Sequence, residues 1–130
     1  VVARWAGEVR RRVGSWEAIE ALLQEMLSDS GYMELAYVID GEGTQLAIAI
    51  NDAVAGTREI PATVRAGEGL TERPWFRGVM RQGRTIITPV YDSLLSGEPC
   101  FTVAAPVKEE GGRIVGVLGL DVNVDSWTKI

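Results

Sequence analysis

The chain has 130 residues, 46% of them apolar, and its 13 Lys and Arg stand against 18 Asp and Glu for a net charge of -5. This is one domain's length with enough apolar content to fold around a core, and the acidic balance argues against nucleic acid as a partner, because neutralising phosphates needs a basic face. There is no histidine and Cys100 is the one cysteine, which removes Ser-His-Asp and Cys-His catalysis, His-ligated zinc or haem, a Cys-only zinc site and an intrachain disulfide.

Residues 1–30 read as helix. Trp5, Val9, Val13, Trp16, Leu23 and Met26 recur at steps near three or four, apart from one double step. Gly14-Ser15 interrupts the pattern, as a kink or as a cap for a second helix starting at Trp16. The one basic run, Arg10-Arg11-Arg12, lies between Glu8 and Glu17 and reads as a solvated helix face. Asp29-Ser30-Gly31 ends the helix. Tyr32 to Ile39 and Gln45 to Ile50 then form a hairpin across the turn signal Asp40-Gly41-Glu42-Gly43. Asn51 to Glu72 shows no clear periodicity and is punctuated by Gly56, Pro61, Gly67 and Gly69, the pattern of a binding loop or lid. Pro74 to Arg81 reads as a short helix ended by Gly83. Three strands follow, Thr85 to Asp92, Cys100 to Lys108 and Ile114 to Val124, joined through Ser96-Gly97-Glu98-Pro99 and the tight Glu110-Gly111-Gly112-Arg113 hairpin. This order predicts an α+β layer fold in one domain over residues 1–130: a helix over 1–30 packed on a five-stranded antiparallel sheet within 31–130.

Two groups of residues have the composition of a site. On the last strand, Val117, Gly119 and Asp121 share one face while Leu118, Leu120 and Val122 share the other. The leucine face is core, under the first helix. The opposite face is small and ends in a carboxylate, and Cys100, Thr102 and Ala104 on the neighbouring strand are also small. Either another element packs closely there or the face leaves room for a ligand. The second group is Arg73-Pro74-Trp75-Phe76. An arginine at a helix start is disfavoured by the macrodipole but, with free backbone donors, suits an anion. The other reading is a solvated arginine beside two core aromatics. Gly41-Glu42-Gly43 and Gly67-Glu68-Gly69 lack the context of a dinucleotide loop. Cys100 sits mid-strand as a small inert residue, and no nucleophile has a base nearby, which argues against an enzyme.

Taken together, Arg73-Pro74-Trp75-Phe76, Tyr91-Asp92, Val103-Ala104-Ala105-Pro106-Val107 and Gly116-Val117-Leu118-Gly119-Leu120-Asp121-Val122 resemble the Cache family, the PAS-like extracytoplasmic sensor domains of bacterial chemoreceptors, sensor histidine kinases and diguanylate cyclases. The likeness spans most of the chain and is strongest from Arg73 onward. It implies a long N-terminal helix, a PAS-like sheet and a ligand pocket under a loop and short-helix lid on the opposite face. In members that bind amino acids, an Arg-x-Trp-aromatic motif grips the ligand carboxylate, a tyrosine on the next strand lines the pocket, and an aspartate ending the last strand takes the ammonium. Arg73, Trp75, Tyr91 and Asp121 match those positions, with Phe76 and Thr102 completing the expected ligand-binding set. Phe76 stands where those members often have Tyr, and the tyrosine they carry just before the arginine is absent near Glu68 and Gly69. The implied ligand class therefore spans amino acids and short acids such as acetate, pyruvate or lactate. The length resembles a single-pocket Cache domain.

The resulting expectation is a sensor that binds a small carboxylate-bearing metabolite, with no cofactor and no metal. It dimerises through the first helix and faces the periplasm from the bacterial inner membrane. No signal peptide and no apolar run near the ~18 residues of a span is visible. The chain opens without methionine and reads as an excised segment whose anchors lie outside it. A ligand-free dimerisation module and a cytosolic PAS or GAF domain are the alternatives.

Overall fold

A computed structural model of the chain describes residues 5–8, 16–57, 59–67 and 69–129. Residues 5–8 are helical, and helix α1 runs Trp16–Ser28. Val9, Val13, the Gly14-Ser15 break and Glu68 lie outside the described residues. In α1, Ile19, Leu22, Leu23, Met26 and Leu27 fall at i, i+3, i+4, i+7 and i+8, and all five are buried. Where α1 stops, the Asn51 side-chain amide donates to the carbonyls of Leu27 (3.0 Å) and Ser30 (3.1 Å), supplying partners that the last turn lacks.

Strands β1 (Met33–Asp40) and β2 (Gln45–Ile50) form the expected hairpin. Strands β5 (Pro99–Lys108) and β6 (Ile114–Asn123) form another, and β6 also pairs with β1, so the last strand lies at the centre of the sheet. The expected strand over 85–92 is two short pieces, β3 (Ile86–Ile87) and β4 (Tyr91–Asp92), both paired with β5. Pro89, between them, has no N–H to give the ladder, and the Thr102 N–H turns to the Thr88 hydroxyl at 2.9 Å. The sheet therefore has six antiparallel strands, in the order β2-β1-β6-β5-β3 with β4 beside β5.

Alternation along these strands makes two cores. On one face α1 packs against Ala36, Val38, Ala105, Leu118 and Leu120, placing the leucine face of β6 under the helix as its pattern requires. Ala6 is buried in this same core and Trp5 packs against it. On the other face Leu35, Tyr37, Ile39, Ala104 and Val117 meet Phe76 and Val79 of helix α4 (Pro74–Gln82). The stretch read as irregular over 51–72 carries two short helices, α2 (Asp52–Ala55) and α3 (Ala62–Ala66), and a 3-10 turn at Leu70–Glu72. They escape a periodicity search because each is about one turn long. Gly67, at φ 70°, closes α3 with N–H bonds to Thr63 and Val64. A four-residue helix, α5 (Val124–Trp127), follows β6 and is capped by the Asn123 side chain, which accepts from the Ser126 N–H.

Candidate functional site

A cavity of about 790 Å3 opens on the sheet face away from α1, between α3, the start of α4 and residues 86–95. That size suits a small metabolite. Its floor follows from strand register. Thr102 on β5 lies opposite Asp121 on β6, Tyr37 on β1 lies opposite Gly119, and Tyr91 on β4 lies opposite Cys100. These pairings bring two hydroxyls to one carboxylate and a third to one of those two. The Thr102 hydroxyl donates to Asp121 Oδ1 at 2.8 Å and the Tyr37 hydroxyl to the same oxygen at 3.1 Å. Thr102 has one proton and gives it to Asp121, so Tyr91 is the donor in its 2.6 Å bond to Thr102.

Burial lifts the Asp121 carboxyl from its ordinary 3.8 to about 6; the Thr102 and Tyr37 hydroxyls oppose that rise, and the charge of Glu34 adds to it. Asp121 is thus ionised at neutral pH, and among the described residues no cation pairs with it. Burial, followed by the Asp121 charge, raises both Tyr37 and Tyr91, which keeps them protonated donors.

Arg73 stands at the N-cap of α4, exposed, lining the cavity, with its guanidinium in no hydrogen bond or ion pair among the described residues. The backbone there offers less than the sequence implied: Pro74 has no N–H, and the Phe76 N–H is bonded to the Arg73 carbonyl at 3.1 Å. Trp75 lines the cavity half-buried, its ring centroid 6.0 Å from that of Tyr37. The expectation for Phe76 needs correction. Phe76 is not a lining residue; it is buried in the second core, because the next helix position turns about 100° away and sends its ring under α4. Arg73, Trp75, Tyr91, Thr102 and Asp121 are thus brought together, and Phe76 supports them from behind.

Two site features escaped sequence reasoning. Tyr37 fills the space that Gly119 leaves on the sheet: a Cβ at Gly119 would overlap its ring. The signal was the alternation of Leu35, Tyr37 and Ile39 opposite that glycine. The second is Glu34, fully buried beside the rim of the pocket. The pairing of β1 with β6 slips between Met33 and Leu35. At that irregularity Glu34 accepts from Ser93 (2.6 Å), Ser96 (2.8 Å) and Asn123 (2.7 Å). A lone glutamate among apolar residues carries no sign of a bulge, so nothing in the sequence marked it. Cys100 is buried, and burial pushes its thiol up to about 11, leaving it unreactive. No cluster of metal-ligating side chains occurs among the described residues.

A helix behind a mixed-length antiparallel sheet, with a polar-floored pocket on the sheet's open face, is the architecture of Cache-type sensor domains. Residues 19–129 match the family model described as methyl-accepting chemotaxis protein-like, first PDC sensor domain, and the chain belongs to that family. Among curated proteins it is 27% identical over 113 residues to a citrate (Re)-synthase of Syntrophus aciditrophicus and 33% identical over 75 residues to the methyl-accepting chemotaxis protein McpA of Pseudomonas putida. It covers 87% and 57% of itself in these matches but 18% and 12% of those longer proteins. Among solved structures, the ligand-binding domain of the Pseudomonas aeruginosa amino acid chemoreceptor PctB, in complex with L-Gln, matches 98% of the chain with a TM-score of 0.69 and 26% identity. The chain spans 47% of that structure's length.

Proposed function

We propose that the chain is the ligand-binding sensor of a bacterial transmembrane receptor and that it binds an α-amino acid, held by its carboxylate at Arg73 and its ammonium at Asp121. The observation that carries this reading is the Asp121 carboxylate: ionised at neutral pH, on the floor of a cavity, oriented by the Thr102 and Tyr37 hydroxyls with Tyr91 bonded behind Thr102, and paired with no cation among the described residues. A half-buried anion without a partner is costly, and a ligand ammonium relieves that cost. Arg73 supplies the opposite charge on the same cavity wall. A short acid such as acetate or pyruvate meets Arg73 equally well but brings a second anion toward Asp121, so the floor disfavours it. The PctB domain, which binds L-Gln and L-Arg, supports the same choice. Among the described residues no helix is long and apolar enough to cross a membrane. In this reading the anchors lie outside the chain, the domain faces the periplasm, and receptor subunits pair through the N-terminal helix. Titration calorimetry with L-alanine, pyruvate and acetate tests the ligand class. L-Alanine binding, lost at least tenfold in Arg73→Ala and in Asp121→Asn, fits a charge-assisted pair of roughly 1.5–3 kcal/mol. Tighter binding of pyruvate or acetate than of any amino acid contradicts it.

A further inference from the structure

The two cores of this protein are not finished to the same degree. Under α1, the core members are mostly buried outright, with five partly buried residues at its margin. On the pocket side, seven buried residues carry eight partly buried ones, so protein atoms leave this core open. Leu35, Val64, Leu70, Ile86 and Leu95 belong to that second core and also line the cavity. Leu94, on the same rim, is 66% exposed. Apolar side chains left open toward a concave space mark where an apolar group is to be buried.

The polar groups beside this wall are largely committed. Gln45 gives its side-chain amide to the carbonyls of Val64 and Arg65 at 3.2 and 2.6 Å. The Thr88 hydroxyl donates to the Pro89 carbonyl at 3.0 Å and accepts from the Thr102 N–H at 2.9 Å. The Ser93 hydroxyl donates to Glu34. Thr63, Asp92 and the Gln45 amide oxygen remain, and Thr63 and Asp92 lie exposed. A ligand side chain bearing an amide or a charge would lose water on this wall and find few partners in exchange.

We infer that the side-chain subsite is an aliphatic one: the preferred ligand is an α-amino acid whose branched or straight hydrocarbon side chain completes the second core between α3, β3 and residues 94–95. This inference rests on the amino-acid reading above and adds the class of side chain. Each buried methylene adds to affinity, so affinity rises from L-alanine through L-valine to L-leucine, and L-glutamine, close to leucine in length but polar, falls behind.

Calorimetry of the chain with L-alanine, L-valine, L-leucine, L-glutamine and L-arginine tests it, alongside the exposed-site variant Leu94→Gln. The expected result is L-leucine binding at least tenfold more tightly than L-glutamine, with Leu94→Gln weakening L-leucine severalfold and L-alanine little. L-Glutamine or L-arginine binding as tightly as L-leucine overturns the aliphatic subsite while leaving the amino-acid reading standing; tight L-arginine would point to Asp92 instead. Equal loss of L-alanine and L-leucine in Leu94→Gln also overturns it. Failure of all five to bind removes both.

Discussion

The ring of Tyr37 lies over Gly119 on the neighbouring strand, and no other residue than glycine leaves room for it. This contact sets the pocket floor, because the displaced space is what lets the Tyr37 hydroxyl reach Asp121. Gly119→Ala forces the ring aside and should cost about 1–3 kcal/mol as overpacking, read as a lowered urea midpoint. Ligand affinity should fall with it. Tyr37→Phe, which keeps the ring and drops the hydroxyl, should keep most of the stability and still weaken binding.

Thr102 relays between Tyr91 and Asp121. Thr102→Val keeps the shape and removes both bonds. The carboxyl then loses the largest of the influences that hold its pKa down, so its titration should move above about 6. Carbon-detected NMR of the Asp121 carboxyl reads this directly, and a titration moving downward would contradict the assigned role.

The raised Asp121 pKa makes the stability of the empty protein depend on pH. The folded chain holds this proton up to about pH 6, whereas an unfolded aspartate releases it near its ordinary 3.8. Between those values the native state binds more protons, so this group's contribution makes the empty protein less stable as pH rises through the window, and flat above it. Asp121→Asn should therefore raise the melting temperature at pH 7 by a few degrees while weakening ligand binding. Amino-acid affinity in the unmodified chain should fall about tenfold for each pH unit below about 6, since a protonated Asp121 no longer attracts an ammonium.

Element order and sheet direction were legible because the hairpins are marked by glycine turns and the strands by alternation, as in the opposed faces of Leu118 and Asp121. That Arg73, Trp75, Tyr91, Thr102 and Asp121 would share one cavity followed from the family resemblance, which rests on residue type and order and needs no coordinates. Phe76 was assigned to the pocket because its neighbour in a motif lines it, while the turn of a helix sends it to the core. The short helices over 51–72 and the break at Pro89 depend on single turns, too brief for periodicity. Glu34 was hidden because its partners Ser93, Ser96 and Asn123 are 59 to 89 positions away and meet only in the folded sheet.

Glu34 ties the rim that carries Leu94 and Leu95 to the end of β6. Glu34→Ala leaves the Ser93 and Ser96 hydroxyls without their acceptor and Asn123 with only Glu98, at 3.4 Å, and should cost about 3 kcal/mol or more, measured by denaturant unfolding. Glu34→Gln keeps one oxygen and should lose less. Hydrogen exchange should show the residues at 94–98 opening in Glu34→Gln before the sheet does. Unchanged protection there would mean that the network does not hold the rim.

A crystal structure of the chain grown with L-leucine would show whether Arg73 and Asp121 hold the two ends of an α-amino acid. The expected result is the ligand in the 790 Å3 cavity, its carboxylate on the Arg73 guanidinium and its ammonium on Asp121, each at roughly 2.7–3.2 Å, with the side chain against Leu70 and Leu95. A cavity left empty at saturating L-leucine, or a ligand whose ammonium points away from Asp121, would contradict it.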